Sequence, residues 1–416
     1  TGSYSAGICG SNGGTVENCF NAATCKACFH PTGGIVALND GTVINCYNVG
    51  QMSTSYICGG VTGVNRGFIS NCYYLEGKSD AGVSIRTGNE RTFSKTAQQF
   101  ASGEVAWLLN GNDGGENATW RQTIGEDEYP VLDNTHGIVH CSYNACIPFY
   151  SNNTVSPKLP EHSYDADGFC ETCGSGHPAT LISDGNYAIA DAAQLYWFAE
   201  KVNSGYFDFN GKLTNDIVVN EHVLDSEGNL MDNSEKLRVW TPIGLFAEDK
   251  IYVGTFDGQG HTISGLYYSD ETTEETGMFT ALGMDNLSGT IKNVGIIDSY
   301  FYASDQVGGI CGMVHNGNIS NCYSSGTVGG SSEFPYVGCV CGRILSGTIT
   351  NCYATGKVNE TSPSGYYGGL CGGVDEDEAT ITNCYYLDST ADNGVGEELS
   401  GSAETTEKNT DDFASG

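Results

Sequence analysis

Short apolar runs of strand length, separated by glycine and asparagine, recur along the whole chain. One copy runs from Gly308-Gly-Ile-Cys-Gly312 to Ile319-Ser-Asn-Cys-Tyr323, and its asparagine returns at Asn351 and Asn383, at spacings of 30 and 32 residues. These repeats carry no helical periodicity, and a unit of about 30 residues cannot bury its own apolar face. Stacked units bury a continuous core instead, so the pattern predicts a solenoid.

The same asparagine pattern appears early in the chain as Val16-Glu-Asn-Cys-Phe20, Ile44-Asn-Cys-Tyr47 and Ile69-Ser-Asn-Cys-Tyr73, at spacings of 27 and 26 residues. Strands of successive rungs would pair in parallel about 4.8 Å apart. We therefore predict an all-β fold, a right-handed parallel β-helix (solenoid) of two modules. Equivalent residues would form ladders along the stack, made by Asn321, Asn351, Asn383, Cys311, Cys341, Cys371, Cys322, Cys352 and Cys384.

The ladder residues have structural explanations. Free cysteine is one of the most buried residue types, and the rung spacing lies at the short end of disulfide Cα separations. We interpret the ladder cysteines as buried thiols or partial cross-rung disulfides rather than as metal ligands. The ladder asparagines are interpreted as turn residues whose side chains bond to the stacked backbone.

The sequence also contains a longer repeat, which spans several rungs. Asn71-Cys-Tyr-Tyr-Leu75 returns as Asn383-Cys-Tyr-Tyr-Leu387, and Phe100-Ala-Ser-Gly103 returns as Phe413-Ala-Ser-Gly416, at offsets of 312 and 313 residues. We expect a longer tandem array that contains this chain. We predict four divisions: the last rungs of a first module (1–92), a helical and extended cap (93–135), a Cys/His-rich linker (136–178) and a second module (179–416). The second module has a capping helix at 192–203, which begins after the N-cap Asp191.

Residues 308–328 resemble the GLUG repeat, which is found in bacterial surface proteins and beside some immunoglobulin A peptidases. Residues 187–203 resemble the leader common in large surface proteins of Gram-positive gut bacteria. The resemblance implies a β-helical, extracellular protein of the cell surface. It implies little about activity, because one repeat fold serves many functions.

The charge excludes one class of partner. Acidic residues number 50 and basic residues 17, giving a net charge of −33, whereas non-specific nucleic-acid binding needs a basic surface. No stretch of 18 apolar residues occurs, so we expect no membrane insertion within this chain. The 18 cysteines would be unusual in an ordinary cytosolic protein.

Residues 136–178 hold a candidate metal site. Cys170-Glu-Thr-Cys173 supplies two thiolates at the spacing of a tetrahedral zinc site, and His162 and Cys141 are candidates for the remaining ligands. Two local disulfides, Cys141–Cys146 and Cys170–Cys173, are the main alternative, and a redox pair is a third. In each case the role is that of a staple in a linker too short for its own core.

Two further candidates concern ions and ligands. The acidic run Asp375-Glu-Asp-Glu378 is a candidate Ca²⁺ site, against the alternative of a solvated acidic loop.

Four tyrosines lie just before equivalent glycine-rich strands and are candidates for stacking on sugars or contacting a host protein. These tyrosines, which could instead cap the core at each corner, are Tyr366, Tyr367, Tyr336 and Tyr56.

No motif for catalysis is present in the sequence. A His-Glu-x-x-His zinc motif, a Gly-x-Ser-x-Gly elbow and a Walker loop do not occur, and carboxylates concentrate in loops rather than across neighbouring strands. We therefore predict a non-enzymatic adhesin or stalk that binds host glycan or protein surfaces, or neighbouring modules of the same protein, multivalently. The alternatives are a carbohydrate-active β-helix or accessory region of a secreted enzyme, and a purely structural spacer.

Overall fold

The computed structural model describes most of the chain, and the structural statements below concern the described residues. These are residues 4–26, 30–53, 57–79, 81–86, 89–112, 115, 117–144, 146–153, 162–232, 234–245, 251–284, 287–375, 378–399 and 401–415. Contacts divide the chain into two compact units. Unit 1 is Thr1–Ser163 with Glu171–Cys173, and unit 2 is Tyr164–Cys170 with Gly174–Gly416.

Unit 1 is built from stacks of short parallel strands, in which successive rungs contribute equivalent strands and the largest stack takes two short strands from some rungs. The stacks consist of Ser5–Ala6, Thr32–Gly33 and Cys58–Gly59; of Cys25–Lys26 and Met52–Ser53; of Cys9–Asn12, Val36–Asn39, Thr62–Asn65 and Val83–Arg86; and of Thr15–Glu17, Phe20–Asn21, Thr42–Ile44, Tyr47–Asn48, Phe68–Leu75 and Asn89–Lys95. An antiparallel hairpin of His140–Asn144 and Ile147–Ser151 follows.

Unit 2 repeats this construction over more rungs. Its stacks consist of Thr180–Ser183, Asn186–Ile189, Asn210–Leu213, Ile217–Val218, Thr255–Asp257, Thr262–Ser264, Gly289–Lys292, Gly295–Ile297, Gly317–Ser320, Tyr323–Ser324, Gly347–Thr350, Tyr353–Ala354, Ala379–Leu387 and Ser402–Lys408; of Tyr267–Ser269, Tyr300–Ala303, Thr327–Gly330 and Lys357–Asn359; of Glu275–Thr276, Gln306–Gly308, Tyr336–Gly338 and Tyr366–Gly368; and of Phe279–Leu282, Cys311–Val314, Cys341–Ile344, Cys371–Val374 and Val395–Glu398. Only its first pair, Thr180–Ser183 with Asn186–Ile189, is antiparallel among the described strand pairs of this unit.

The register of unit 2 aligns equivalent residues of successive rungs. Ile319, Ile349 and Ile381 are direct partners and are fully buried, so each rung places the same apolar side chain on top of its neighbour. This continuous stack of buried apolar residues is the core. The predicted all-β parallel β-helix is confirmed.

Helices occur beside the strands. They are α1 (Ala97–Ala101), α2 (Glu104–Leu109), α3 (Ala192–Asn203) and α4 (Thr410–Ser415), with a 3₁₀ turn at Ser234–Lys236. The predicted helix 192–203 is confirmed: the Asp191 carboxylate accepts a hydrogen bond from Gln194 N at 2.9 Å, and Leu195, Phe198 and Val202 form a buried face. None of the helices in the described part of the chain has the length and apolar character that crossing a bilayer requires.

The ladder asparagines make sharp turns between strands. Asn321, Asn351 and Asn383 have φ values of 55°, 54° and 51°, in the left-handed region that asparagine tolerates better than most residues. Their side chains hydrogen-bond to one another rather than to the stacked backbone, which corrects our interpretation. Asn351 Nδ2 donates to Asn321 Oδ1 at 3.2 Å, and Asn383 Nδ2 donates to Asn351 Oδ1 at 2.6 Å, because the rung spacing brings identical amides within hydrogen-bonding distance.

Candidate functional site

The best-defined chemical site is a cluster of three cysteines and one histidine. The ligand atoms of Cys146, His162, Cys170 and Cys173 all lie within 4.8 Å of one another, and Cys173 Sγ is 3.7 Å from His162 Nδ1. In a tetrahedral zinc site two sulfur ligands lie about 3.8 Å apart, given Zn–S bonds of about 2.3 Å. Small movements of these side chains would therefore complete a Cys₃His site.

A compact turn brings Cys170 and Cys173 close together. Gly174 N donates to Cys170 O at 2.8 Å, which closes the turn, and Gly174 takes a φ of 74° that suits glycine. Just before it, Asp165 Oδ1 accepts hydrogen bonds from Asp167 N and Phe169 N. Since only two residues separate Cys170 from Cys173, their proximity is a property of the local chain.

The fourth member of the cluster differs from the sequence prediction. Cys146 lies in the cluster, whereas the predicted ligand Cys141 does not. Cys141 lies on the preceding strand of the hairpin opposite Tyr150, and its Sγ donates to Ser142 O at 3.8 Å. Burial raises the pKa of the Cys141 thiol, which opposes the thiolate form that metal binding needs. Within the hairpin, Cys146 comes just before the returning strand, a placement that sequence spacing could not distinguish from that of Cys141.

Three of the four predicted tyrosines lie along one edge of unit 2, on the adjacent strands Tyr336–Gly338 and Tyr366–Gly368. The rings of Tyr336 and Tyr366 are stacked, with centroids 4.6 Å apart, and the Arg343 guanidinium lies over the Tyr336 ring at 4.5 Å. The Tyr367 hydroxyl accepts hydrogen bonds from Thr361 N and Ser362 N. Tyr56 lies outside the described residues. These are packing and hydrogen-bonding contacts within the chain, and the ligand role of the tyrosines remains a prediction.

An exposed aromatic side chain beside this edge escaped the sequence analysis. Phe334 is 51% exposed, in a loop between Gly330 and Tyr336. The Ser362 hydroxyl of the next rung donates to Glu333 O at 2.6 Å, so the two loops fix one another. The greater length of these loops relative to the preceding rung was the available signal.

The ladder cysteines are buried, unbridged thiols, in agreement with one of the two predicted forms. Cys311, Cys341 and Cys371 are direct partners in register and fully buried. Each thiol donates to the backbone carbonyl two residues ahead, as Cys311 Sγ does to Met313 O at 3.1 Å. Burial raises the pKa of Cys311 and Cys341, so these groups stay protonated and inert.

The acidic residues are not confined to loops. Glu275 lies on a strand, is 8% exposed, and has a pKa raised to about 7 by burial and by the charges of Glu274 and Asp305. The carboxylate of Asp375, at the start of the candidate Ca²⁺ run, forms an ion pair with Arg343. Glu376 and Asp377 of that run lie outside the described residues, so the Ca²⁺ site remains a prediction.

Comparison with known proteins bears on the repeats. The GLUG motif matches residues 303–329 and 335–359. Halomucin from Haloquadratum walsbyi is 32% identical over 87 residues, which are 21% of this chain and 1% of the length of that curated relative. A solved structure described as a candidate immunoglobulin A1 protease from Bacteroides ovatus is 18% identical, covers 53% of this chain and 84% of its own, and superposes with a TM-score of 0.31. The predicted resemblance to GLUG repeats is thus confirmed for two consecutive rungs of a parallel β-helix.

Proposed function

We propose that this chain is a non-enzymatic, extracellular repeat region of a bacterial cell-surface protein that binds host glycan or protein surfaces. The observation that carries the proposal is the edge of unit 2 at residues 331–336 and 360–367. There Phe334 is exposed in a loop that a hydrogen bond ties to the next rung, two residues before Tyr336, whose ring stacks on that of Tyr366. The GLUG match and the similarity to halomucin support a surface location.

A fixed aromatic edge is suited to binding. Exposed aromatic side chains dominate binding energy at interfaces, and a loop that is already ordered loses little conformational entropy when a partner binds. The Tyr367 hydroxyl orders one loop through Thr361 N and Ser362 N. One such edge would bind weakly, and repetition of the module along a longer protein would sum the weak contacts into avidity.

Binding of the 416-residue chain to an array of glycans, mucins and host extracellular proteins tests this proposal. We expect saturable binding that the variant Phe334→Ala weakens at least tenfold. The matched control is Phe68→Ala, because Phe68 is 47% exposed and lies in the other unit. Equal losses in both variants would indicate non-specific adhesion, and no saturable binding would favour a structural spacer. Release of reducing sugar from the array would instead favour the carbohydrate-active alternative.

We further propose that Cys146, His162, Cys170 and Cys173 bind a structural zinc ion. Three thiolates and one imidazole match the ligand set of closed structural zinc sites. The ion would hold together a segment that has little apolar core of its own, which is the staple role expected of this linker. The competing assignment is a pair of local disulfides.

Metal analysis of the purified chain separates the two assignments. We expect one zinc per chain, thiolate-to-metal charge-transfer absorption after exchange for Co²⁺, and loss of both signals in Cys173→Ser. Cys141→Ser is the control and should retain the metal. A chain without zinc whose cysteines resist thiol reagents until they are reduced would contradict zinc binding and favour the disulfides.

A further inference from the structure

A row of aromatic rings runs along unit 1, with one ring in each of four successive rungs. Phe20, Tyr47, Tyr73 and Phe93 are direct partners in successive rungs. Phe20 stacks on Tyr47 with ring centroids 5.4 Å apart, and Tyr73 stacks on Phe93 at 5.6 Å. Two members are buried almost completely, since Tyr47 is 1% and Tyr73 is 4% exposed.

The segment after the last rung of unit 1 covers this row. Phe100 of α1 and Trp120 are fully buried against Tyr47, with ring centroids 5.5 and 5.3 Å from its ring. The Tyr47 hydroxyl donates to Pro130 O. Asn71 Nδ2 donates to Leu108 O at the end of α2, which ties the asparagine ladder to the cover. We call residues 104–131 the cap segment.

Unit 2 has the same row without a cap segment over it in the described residues. Tyr323, Tyr353 and Tyr385 are direct partners, and the rings of Tyr323 and Tyr353 stack at 4.8 Å with an interplanar angle of 3°. The offset of 312 residues makes Tyr385 the counterpart of Tyr73, and Tyr353 is the counterpart of Tyr47 because each is the ring one rung earlier. Tyr353 is nevertheless 36% exposed, whereas Tyr47 is 1% exposed.

The beginning of the cover is nevertheless present in unit 2. The ring of Phe413 in α4 lies 5.7 Å from that of Tyr353, at an angle of 46°, and Phe100 lies 5.5 Å from Tyr47 at 52°. Asn409 caps α4 by accepting from Asp412 N, as Thr96 caps α1 by accepting from Gln99 N. The two helices therefore start the same cover in the same way.

The aromatic rows of the two units also have a lysine at the equivalent position. In unit 1, Lys95 Nζ binds the carboxylate of Glu104, the first residue of α2, at 2.6 Å. Lys408 is the counterpart of Lys95, and its Nζ lies 5.9 Å from the centre of the Tyr385 ring instead. An acidic residue at the start of an incoming helix would find Lys408 at the position where Lys95 holds Glu104.

We propose that the surface formed by Tyr323, Tyr353, Tyr385 and Phe413 is a docking site for a polypeptide cap of the cap-segment type. Its occupant is a short helix that begins with a carboxylate and is followed by a tryptophan, which packs on the Tyr353 ring. This surface is distinct from the edge at Phe334, and its role is to receive protein and not a glycan.

A fusion tests the proposal on the full chain. A second copy of residues 104–153, with its two cysteines replaced by serine, is joined after Gly416, so that Gly416 takes the position of Gly103. The range extends to 153 because Asn152 Oδ1 accepts from Ile124 N within the unit 1 cover. Hydroxyl-radical footprinting then measures the accessibility of Tyr353 and Tyr385, with Tyr47 and Tyr73 of the same chain as buried references.

We expect modification of Tyr353 to fall at least fivefold in the fusion, towards the level of Tyr47. A fusion whose added copy carries Trp120→Ala should restore most of the modification. In the fusion with Tyr353→Ala, amide exchange of the added copy should be faster than in the parent fusion, which tests docking from the other side. Unchanged Tyr353 modification in the fusion would overturn the proposal. Concentration-dependent protection of Tyr353 in the unfused chain would also overturn it, because the occupant would then be a second copy.

Discussion

Replacement of Glu275 by glutamine tests how burial of an acid shapes the stability of the solenoid. Glu275 is 8% exposed and stands opposite Gln306 of the next rung, and its pKa is raised from 4.5 to about 7 by burial and neighbouring acids. Since the folded pKa exceeds the unfolded value, the folded state keeps a proton that the unfolded state loses. The free energy of unfolding should therefore fall as the pH rises from about 4.5 to about 7, and stay reduced above that.

The structure sets the size of this effect. At about 1.4 kcal/mol per pH unit, the interval between the two pKa values corresponds to about 3 kcal/mol, which solvent screening reduces to about 1–2 kcal/mol. The variant Glu275→Gln keeps the shape and removes the titration. It should match the parent chain at pH 4 and exceed its free energy of unfolding by about 1–2 kcal/mol at pH 8.

Urea denaturation of both chains at several pH values between 4 and 8 provides the measurement. Glu271→Gln is the matched control, because Glu271 is exposed in the loop before this strand, is not one of the two acids whose charges raise the pKa of Glu275, and should change the stability far less. A Glu275→Gln chain whose stability parallels that of the parent across this pH range would refute the reasoning, since it would mean that Glu275 titrates equally in the folded and unfolded states.

Three further changes test the ladder and the capping helix by urea denaturation. Asn351→Ala should cost about 2 kcal/mol, because it places a Cβ-bearing residue without an amide at a φ of 54° and breaks two side-chain hydrogen bonds, whereas Asn351→Gly should cost less. Phe198→Ala should cost about 3–5 kcal/mol, since Phe198 is fully buried against Phe256, and a cost below that of Phe198→Leu would contradict this packing role. Asp191→Ala should cost about 1 kcal/mol through loss of the helix cap, and Asp191→Asn should retain most of the stability.

The parts of the fold that depend on periodicity were predictable from the sequence. The 30- and 32-residue spacings of Asn321, Asn351 and Asn383 identify the register, because equivalent positions of a stack must meet. The helix 192–203 was also predictable, since Asp191 and the apolar spacing after it are local signals. What the ladder asparagines bond to was not, because the choice between backbone and neighbouring amide depends on distances that only the stacked rungs define.

The candidate metal site and the buried acid Glu275 depend on contacts between segments that are not related by the repeat spacing. Cys146 joins the cluster through the geometry of a hairpin, and two cysteines five residues apart look equivalent in the sequence. Glu275 looks like one more residue of an acidic loop, whereas its pairing with Gln306 places it on a strand and buries it. Burial of an acid is a tertiary property, so composition alone assigned it to the surface.

The amide ladder has a consequence for how such proteins change in evolution. Asn351 donates to Asn321 of the rung before it and accepts from Asn383 of the rung after it, so a rung inside the stack presents to its neighbours the same pair of hydrogen-bonding groups. Duplication or deletion of one whole rung leaves these groups matched, whereas loss of a single residue within a strand shifts the later side chains of that strand to the other face. Related chains should therefore differ in length by whole rungs and by loop insertions such as residues 331–335. The number of rungs can then vary by genetic recombination, because each added rung repeats contacts that the stack already makes.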